Sequence, residues 1–151
     1  MLTFAANILW FIFGGWFMGL AWWLAAILMA VSVIGLPWTR ACFEIGLMSF
    51  APFGSDVVSV AELSGDSNPV GEGFVLIANI IWFPLGLILA VIHLAHGVAA
   101  FCTIIGIPFA LQDFKLAGLS LFPVGKRVVS NELAEAARMT NAYQEIDRRR
   151  Y

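Results

Sequence analysis

Two histidines, His93 and His96, stand three residues apart in a stretch with no Asp, Glu, Lys or Arg between Gly73 and Gln112. On a helix that spacing brings both rings to roughly one face. Ionisable side chains inside a membrane-embedded segment are candidates for a proton relay, a ligand set or a pore lining. The sharp reading is a metal or proton site. The plain reading, favoured here, is two neutral imidazoles bonded to backbone or to a neighbouring helix, because no acidic residue in the same stretch completes a ligand set. Two further pairs could do chemistry. Arg40 and Glu44, four apart, share a helix face and can form an ion pair. Asp113 and Lys115, two apart, cannot face each other and need other partners. Cys42 and Cys102 read as small apolar residues packed in helices, with neither a zinc-finger spacing nor a disulfide framework. The chain has no catalytic triad, phosphate loop, redox motif or nucleic-acid motif. The expectation is therefore no enzyme, no catalytic, cofactor-binding or metal residues, and no nucleic-acid partner.

The elements that must position these residues are apolar. The 151 residues are 61% hydrophobic and 12% charged, against about half apolar and about a quarter charged in a soluble domain. A second charge-free stretch runs from Met1 to Thr39. Each of the two is about twice the roughly 20 apolar residues that a membrane-spanning helix needs. The first is not a signal peptide, since it lacks a basic start and runs well past a short apolar core. The expected fold class is an all-α integral membrane protein.

The chain is also internally duplicated. Asn7, Ile8, Trp10, Phe11 and Gly14 recur as Asn79, Ile80, Trp82, Phe83 and Gly86 at an offset of 72. After a one-residue deletion the offset is 71: Gly35 and Pro37 recur as Gly106 and Pro108, Ser49 as Ser120, Pro52 as Pro123, Gly54 as Gly125, and Val57-Val58-Ser59 as Val128-Val129-Ser130. This divides the chain into a first membrane repeat (1–59), a polar linker (60–73), a second membrane repeat (74–130) and a C-terminal amphipathic helix with a basic tail (131–151).

As one helix, residues 4–34 would be about 46 Å long at 1.5 Å per residue, against a hydrocarbon core of about 30 Å. A break is expected. Gly14 and Gly15 offer one in the first copy, and Pro84 with Gly86 in the second. Each repeat then reads as a short leading helix, a hinge and a main span, roughly 15–34 and 85–105. A second hinge follows at Gly35 and Pro37, and again at Gly106 and Pro108, because glycine ends helices and proline starts them. The next helices, 37–51 and 108–122, reach only about 22 Å and are interfacial or thin second passes. Gly15 and Gly19 form a small-residue stripe for packing the two repeats together, or for a subunit interface. Trp22 and Trp23 fall mid-span and read as packing residues.

Both repeats close on turn residues and paired valines, which favour short extended segments. Such backbone cannot face lipid unpaired, so both are placed at a membrane surface, pairing with one another. In the tail, Ser130 is the expected N-cap, and Leu133, Ala136, Ala137, Thr140, Tyr143 and Ile146 form one mostly apolar stripe. Six of the eight basic residues lie in the second closing segment and the tail, which puts the C-terminus in the cytoplasm. One crossing per repeat would make the repeats inverted and put the linker outside; two would make them parallel and put it inside.

The doubled pattern from NILWF through IGLP to PFG and VVS resembles the YccF inner membrane component family, over nearly the whole chain. The resemblance implies a bacterial inner membrane protein built from two copies of a small membrane domain. It supplies no catalytic residue and no cofactor.

Two functions are open on the sequence. The first, slightly preferred, is a homo-oligomeric channel or transport component, with Arg40, Glu44, Asp113 and Lys115 at the mouth of the conduit and His93 and His96 as a polar site. Four short helices enclose no wide pore alone, so the conduit needs several subunits. The alternative is a non-conducting structural or regulatory module that binds another membrane protein or anionic lipid.

Overall fold

The computed structural model describes residues 1–64 and 69–150. The first repeat opens with α1 (Leu2–Trp10), a π-helical turn (Phe11–Gly15) and α2 (Trp16–Val31), and returns through α3 (Leu36–Phe50) into β1 (Ser55–Ser59). The second opens with α5 (Pro69–Phe101) and returns through α6 (Ile107–Leu121) into β2 (Lys126–Ser130). Between them lies α4 (Val60–Ser64), and α7 (Asn131–Arg148) closes the chain. The expected polar linker is thus helical at both ends, and its residues 65–68 lie outside the described part. Leu2–Val31 and Gly71–Phe101 are each long and apolar enough to cross a membrane.

Each repeat is a helical hairpin closed at its base and its tip by matching bonds. At the base, Asn7 Nδ2 donates to the Phe53 carbonyl and Asn7 Oδ1 accepts from the Phe53 N–H, both at 2.9 Å. Asn79 does the same to Val124 at 3.1 and 3.0 Å. One turn on, the indole of Trp10 donates to the Ser49 carbonyl at 2.6 Å and that of Trp82 to the Ser120 carbonyl at 2.9 Å. At the tips, the N–H of Gly35 donates to Ser32 Oγ and that of Gly106 to Thr103 Oγ1, each at 3.0 Å. Pro37 and Pro108 then sit in the first turn of α3 and α6, where a missing N–H costs no helical bond.

The two copies differ at the leading break. The first has the separate α1 expected there. In the second, α5 runs unbroken through Pro84 and Gly86, so no separate leading helix forms. The reason is a single residue. Gly15 and Gly86 occupy the same place, each against its own repeat's tryptophan indole and serine carbonyl. Gly15, not Gly14, is therefore the counterpart of Gly86. The first repeat carries one more residue between tryptophan and glycine, and a helix absorbs one extra residue as a π turn. Gly14 takes up the distortion with φ +139°, a backbone angle that residues with a Cβ rarely adopt.

The glycines of the first hairpin pack within one repeat rather than between repeats: Gly15 of the π turn faces Trp10 and Ser49, Gly19 of α2 faces Phe50, and Gly46 of α3 faces Trp22 and Trp23. Between repeats, Trp22 stacks on Trp82 with ring centroids 6.2 Å apart. The closing segments pair as expected. β1 and β2 are antiparallel, with Ser55 opposite Ser130 and Val57 opposite Val128. Val57 and Val128 are each other's repeat counterparts, so a pseudo-two-fold axis passes between them. The flanking bonds obey it: Val60 N–H donates to Gly125 O at 2.9 Å and Asn131 N–H to Gly54 O at 3.2 Å.

Candidate functional site

Asp113 brings the two histidines together. It is fully buried on α6. Gly97 on α5 allows the approach, since a Cβ there would lie 2.9 Å from the Asp113 Cβ. Asp113 Oδ1 lies 3.2 Å from His93 Nδ1, and Oδ2 lies 2.6 Å from His96 Nδ1. The acid missing from the histidine stretch is supplied by the next helix. The plain reading, bonding to a neighbouring helix, describes the contacts, but the group contacted is itself ionisable.

The outer nitrogens fix the protons. An indole nitrogen only donates. Trp22 Nε1, 3.2 Å from His93 Nε2, therefore leaves that nitrogen as an acceptor. The ring proton of His93 sits on Nδ1 and is donated to Asp113. A carbonyl only accepts. The Phe13 carbonyl, 3.0 Å from His96 Nε2, therefore places a proton on that nitrogen. One further proton lies between His96 Nδ1 and Asp113 Oδ2. Whether drawn as imidazolium and carboxylate or as imidazole and carboxylic acid, the cluster is neutral overall. That is the form an apolar interior favours, since an unpaired buried charge is costly.

Both outer contacts come from the first repeat. Trp22 is the repeat counterpart of His93 at the offset of 71, so their bond also lies on the pseudo-two-fold. Phe13 precedes Gly14, and the π turn presents its carbonyl to α5. A Cβ on Gly14 would lie 2.8 Å from His96 Nε2, so glycine is needed there for contact as well as for φ. His96 is 29% exposed. It opens into an apolar cleft of about 390 Å³ lined also by Trp10, Phe13, Thr103 and Phe109.

The other charged candidates hold the repeats together. Glu44 Oε1 accepts from Arg127 at 2.8 Å, and Glu44 Oε2 from the Val128 N–H at 3.3 Å. Lys115 Nζ lies 2.7 Å from Asp56 Oδ1 and donates to the Ser55 carbonyl at 3.0 Å. Glu44 and Lys115 are repeat counterparts, as are Arg127 and Asp56. One two-fold-related contact is thus made twice with the charges exchanged. Arg40 pairs with Glu44 at 2.8 Å but is 70% exposed. Arg138 on α7 joins Asp56 at 2.7 Å. Burial pushes the Asp56 carboxyl up, but hydrogen bonds from Lys115, the Val57 N–H and Arg138 outweigh it and hold the group at about 2. Glu44 and Lys115 are thus engaged at the sheet, while Arg40 reaches it only through Glu44.

Trp22, Phe13 and Asp56 were not singled out from the sequence as site residues. The repeat register carried a signal for all three: Trp22 aligns with His93, and Phe13 borders the one-residue insertion. Asp56 aligns with Arg127, opposite charges at matched positions.

Sequence comparisons agree with the duplication. The YccF inner membrane component domain matches twice, at residues 5–55 and 77–126. Inner membrane protein YccF of Escherichia coli strain K12 is 42% identical over 147 residues, covering 93% of this chain and 97% of the relative. The protein of the same name from Shigella flexneri matches with the same identity and coverage. No solved structure matches.

Proposed function

The chain belongs to the YccF family of inner membrane components, and on that premise we propose that it is a non-conducting, membrane-embedded module acting on another membrane protein, its state set by the proton shared between Asp113 and His96. The observation that carries this reading is the inward use of the polar side chains. Glu44 and Lys115, placed by sequence at a conduit mouth, are engaged by Arg127 and Asp56 in tying the repeats. Asp113 is engaged by the histidines, and the chain of bonds ends at the buried Trp22 indole, which has no second proton to pass on. A proton that reaches His96 finds no exit on the far side. The apolar stripe of α7 supports the partner half of the reading: Leu133, Tyr143 and Ile146 stay exposed, while Ala134, Arg138 and Asn141 face the body.

The test is purification under mild detergent, followed by reconstitution into planar bilayers and into vesicles loaded with a pH-sensitive dye. The expected result is no unitary current, no proton leak above empty vesicles, and a stoichiometric membrane-protein partner lost when Leu133 and Ile146 are replaced by Ser. Reproducible currents abolished by Asp113→Asn would overturn it. They would favour the second reading, a homo-oligomeric conduit, for which the specific support is the cleft that opens on His96.

A further inference from the structure

We infer that both hairpins lie along the membrane rather than through it, so that the module occupies one leaflet with its pseudo-two-fold along the bilayer normal. The interaction surface is the exposed underside of α2 and α5, and its partner is the acyl region of the cytoplasmic leaflet. The inference does not depend on the proposed function.

The positions of the charges carry the argument. A helix that crosses a bilayer keeps its charges at its ends, where water and head groups are. Here the hairpin tips are free of charge and apolar: Ile34 is 84% exposed and Ile104 89%. The charges instead lie within α3 and α6: Arg40 sits beside Glu44 on α3 and Lys115 on α6 beyond the buried Asp113, and both Glu44 and Lys115 reach the sheet. With the hairpins upright, the sheet, its ion pairs and the polar helix α7 would face hydrocarbon at mid-depth, where such groups are strongly disfavoured.

The cross-repeat contacts agree. The tip end of each return helix lies beside the base of the other repeat. Phe109, near the start of α6, has its ring 6.2 Å from that of Trp10 and 5.7 Å from that of Phe53. Trp38, near the start of α3, donates its indole N–H to the Ala78 carbonyl at 3.1 Å. Tips and bases therefore sit at similar heights along the two-fold, and each hairpin runs across the axis. Along that axis come the sheet, then α3 and α6, then α2 and α5. Packed helix layers are about 8 to 10 Å apart. With α3 and α6 among the head groups, α2 and α5 fall in the upper half of a hydrocarbon core about 30 Å thick. The outer face of α2 is apolar along its length, at Trp16, Leu20, Leu24, Ile27 and Val31. The basic residues gathered at the sheet and tail put this face on the cytoplasmic side.

The first measurement uses the native thiol Cys102, exposed at the second tip, with Cys42 buried. A membrane-impermeant maleimide is added to spheroplasts and to inverted vesicles. Cys102, and the thiol introduced at the first tip by Ile34→Cys, should resist labelling from both sides and react fully after detergent. Thiols introduced by Glu72→Cys and Arg149→Cys should react from the cytoplasmic side alone. The second measurement uses spin labels at Leu20, Leu24 and Ile27, whose depths by paramagnetic quenching should nearly coincide. In an upright helix they would spread over about 10 Å at 1.5 Å per residue. Labelling of Cys102 from the periplasm, opposite sidedness of positions 72 and 149, or a depth spread near 10 Å would each overturn the inference.

Discussion

Replacing Asp113 separates the two roles its carboxyl could have. In Asp113→Ala, His93 Nδ1–H loses its acceptor in a site where His93 is 2% exposed. An unsatisfied buried donor costs about 1–3 kcal/mol. His96 loses its partner too, but it borders the cleft and can turn toward it. The expected loss is about 2 to 4 kcal/mol. Asp113→Asn is different. Its amide oxygen can accept from His93 Nδ1–H, and its amide N–H can donate to His96 Nδ1. His96 keeps its proton on Nε2 and its bond to the Phe13 carbonyl. Every hydrogen bond survives, and the one exchangeable proton between residues 113 and 96 is gone. Asparagine should therefore cost less than about 1 kcal/mol, since no buried group is left unpaired, while removing any response that depends on the proton. The assay is equilibrium unfolding of detergent-purified protein, wild type against both variants. If asparagine destabilises as much as alanine, the proton assignment is wrong; if alanine is silent, the cluster does not hold the hairpin.

Other outcomes follow from the same geometry. Arg40→Gln should cost at most about 1 kcal/mol, as exposed pairs do; Glu44→Lys should be clearly destabilising, and adding Arg127→Asp should recover much of the loss by reproducing the Lys115–Asp56 pair, so a double variant no more stable than Glu44→Lys would deny the two-fold relation. Gly15→Ala should cost about 1–3 kcal/mol by overpacking, since its Cβ would run into the Trp10 indole and lie 3.0 Å from the Ser49 carbonyl; Gly118→Ala, with nothing within 4 Å, should gain up to about 1 kcal/mol of helix propensity, and thermal melts of the pair read the contrast. Asp56 titrates at about 2 in the folded chain against an ordinary 3.8, so its contribution is complete above about pH 4 and is lost as pH falls toward 2; Asp56→Asn should flatten that part of the stability profile, and an unchanged acid limb would show that Asp56 is not engaged.

Much of this architecture was legible because duplication writes tertiary contacts into the sequence. Matching Val57 with Val128 anticipates the strand pair, and matching Ser-Val-Ile-Gly with Thr-Ile-Ile-Gly anticipates two like turns. Helix boundaries near Leu36, Phe50, Ile107 and Leu121 fell within a residue or so of the Gly-Pro and turn signals. What sequence reading could not supply was the third dimension of the charges. Glu44 reads as Arg40's partner because four residues apart is a local rule, whereas Arg127 is brought to it by the sheet. Asp113 reads as unpartnered because its histidines lie on the other arm of a hairpin whose register is set by Gly97.

The two copies have diverged where the axis passes. Cys42 in the first repeat stands where Asp113 stands in the second, and Trp22 stands where His93 does. A symmetric pair of Asp-His sites would bring two acids and four imidazoles to one apolar centre, with no indole to cap either histidine. Keeping Trp22 and Cys42 in one copy gives the other a donor for His93 Nε2 and a small neutral neighbour. The extra residue before Gly15 then turns the Phe13 carbonyl toward His96. Removing Gly14 should regularise that helix, leaving the base bonds of Asn7 and Trp10 in place but His96 Nε2 without its acceptor. The Nε2 proton of His96 should then lose its slow exchange with solvent in NMR spectra. An Nε2 proton that stays equally protected would mean that the carbonyl does not hold it and that the π turn serves packing alone.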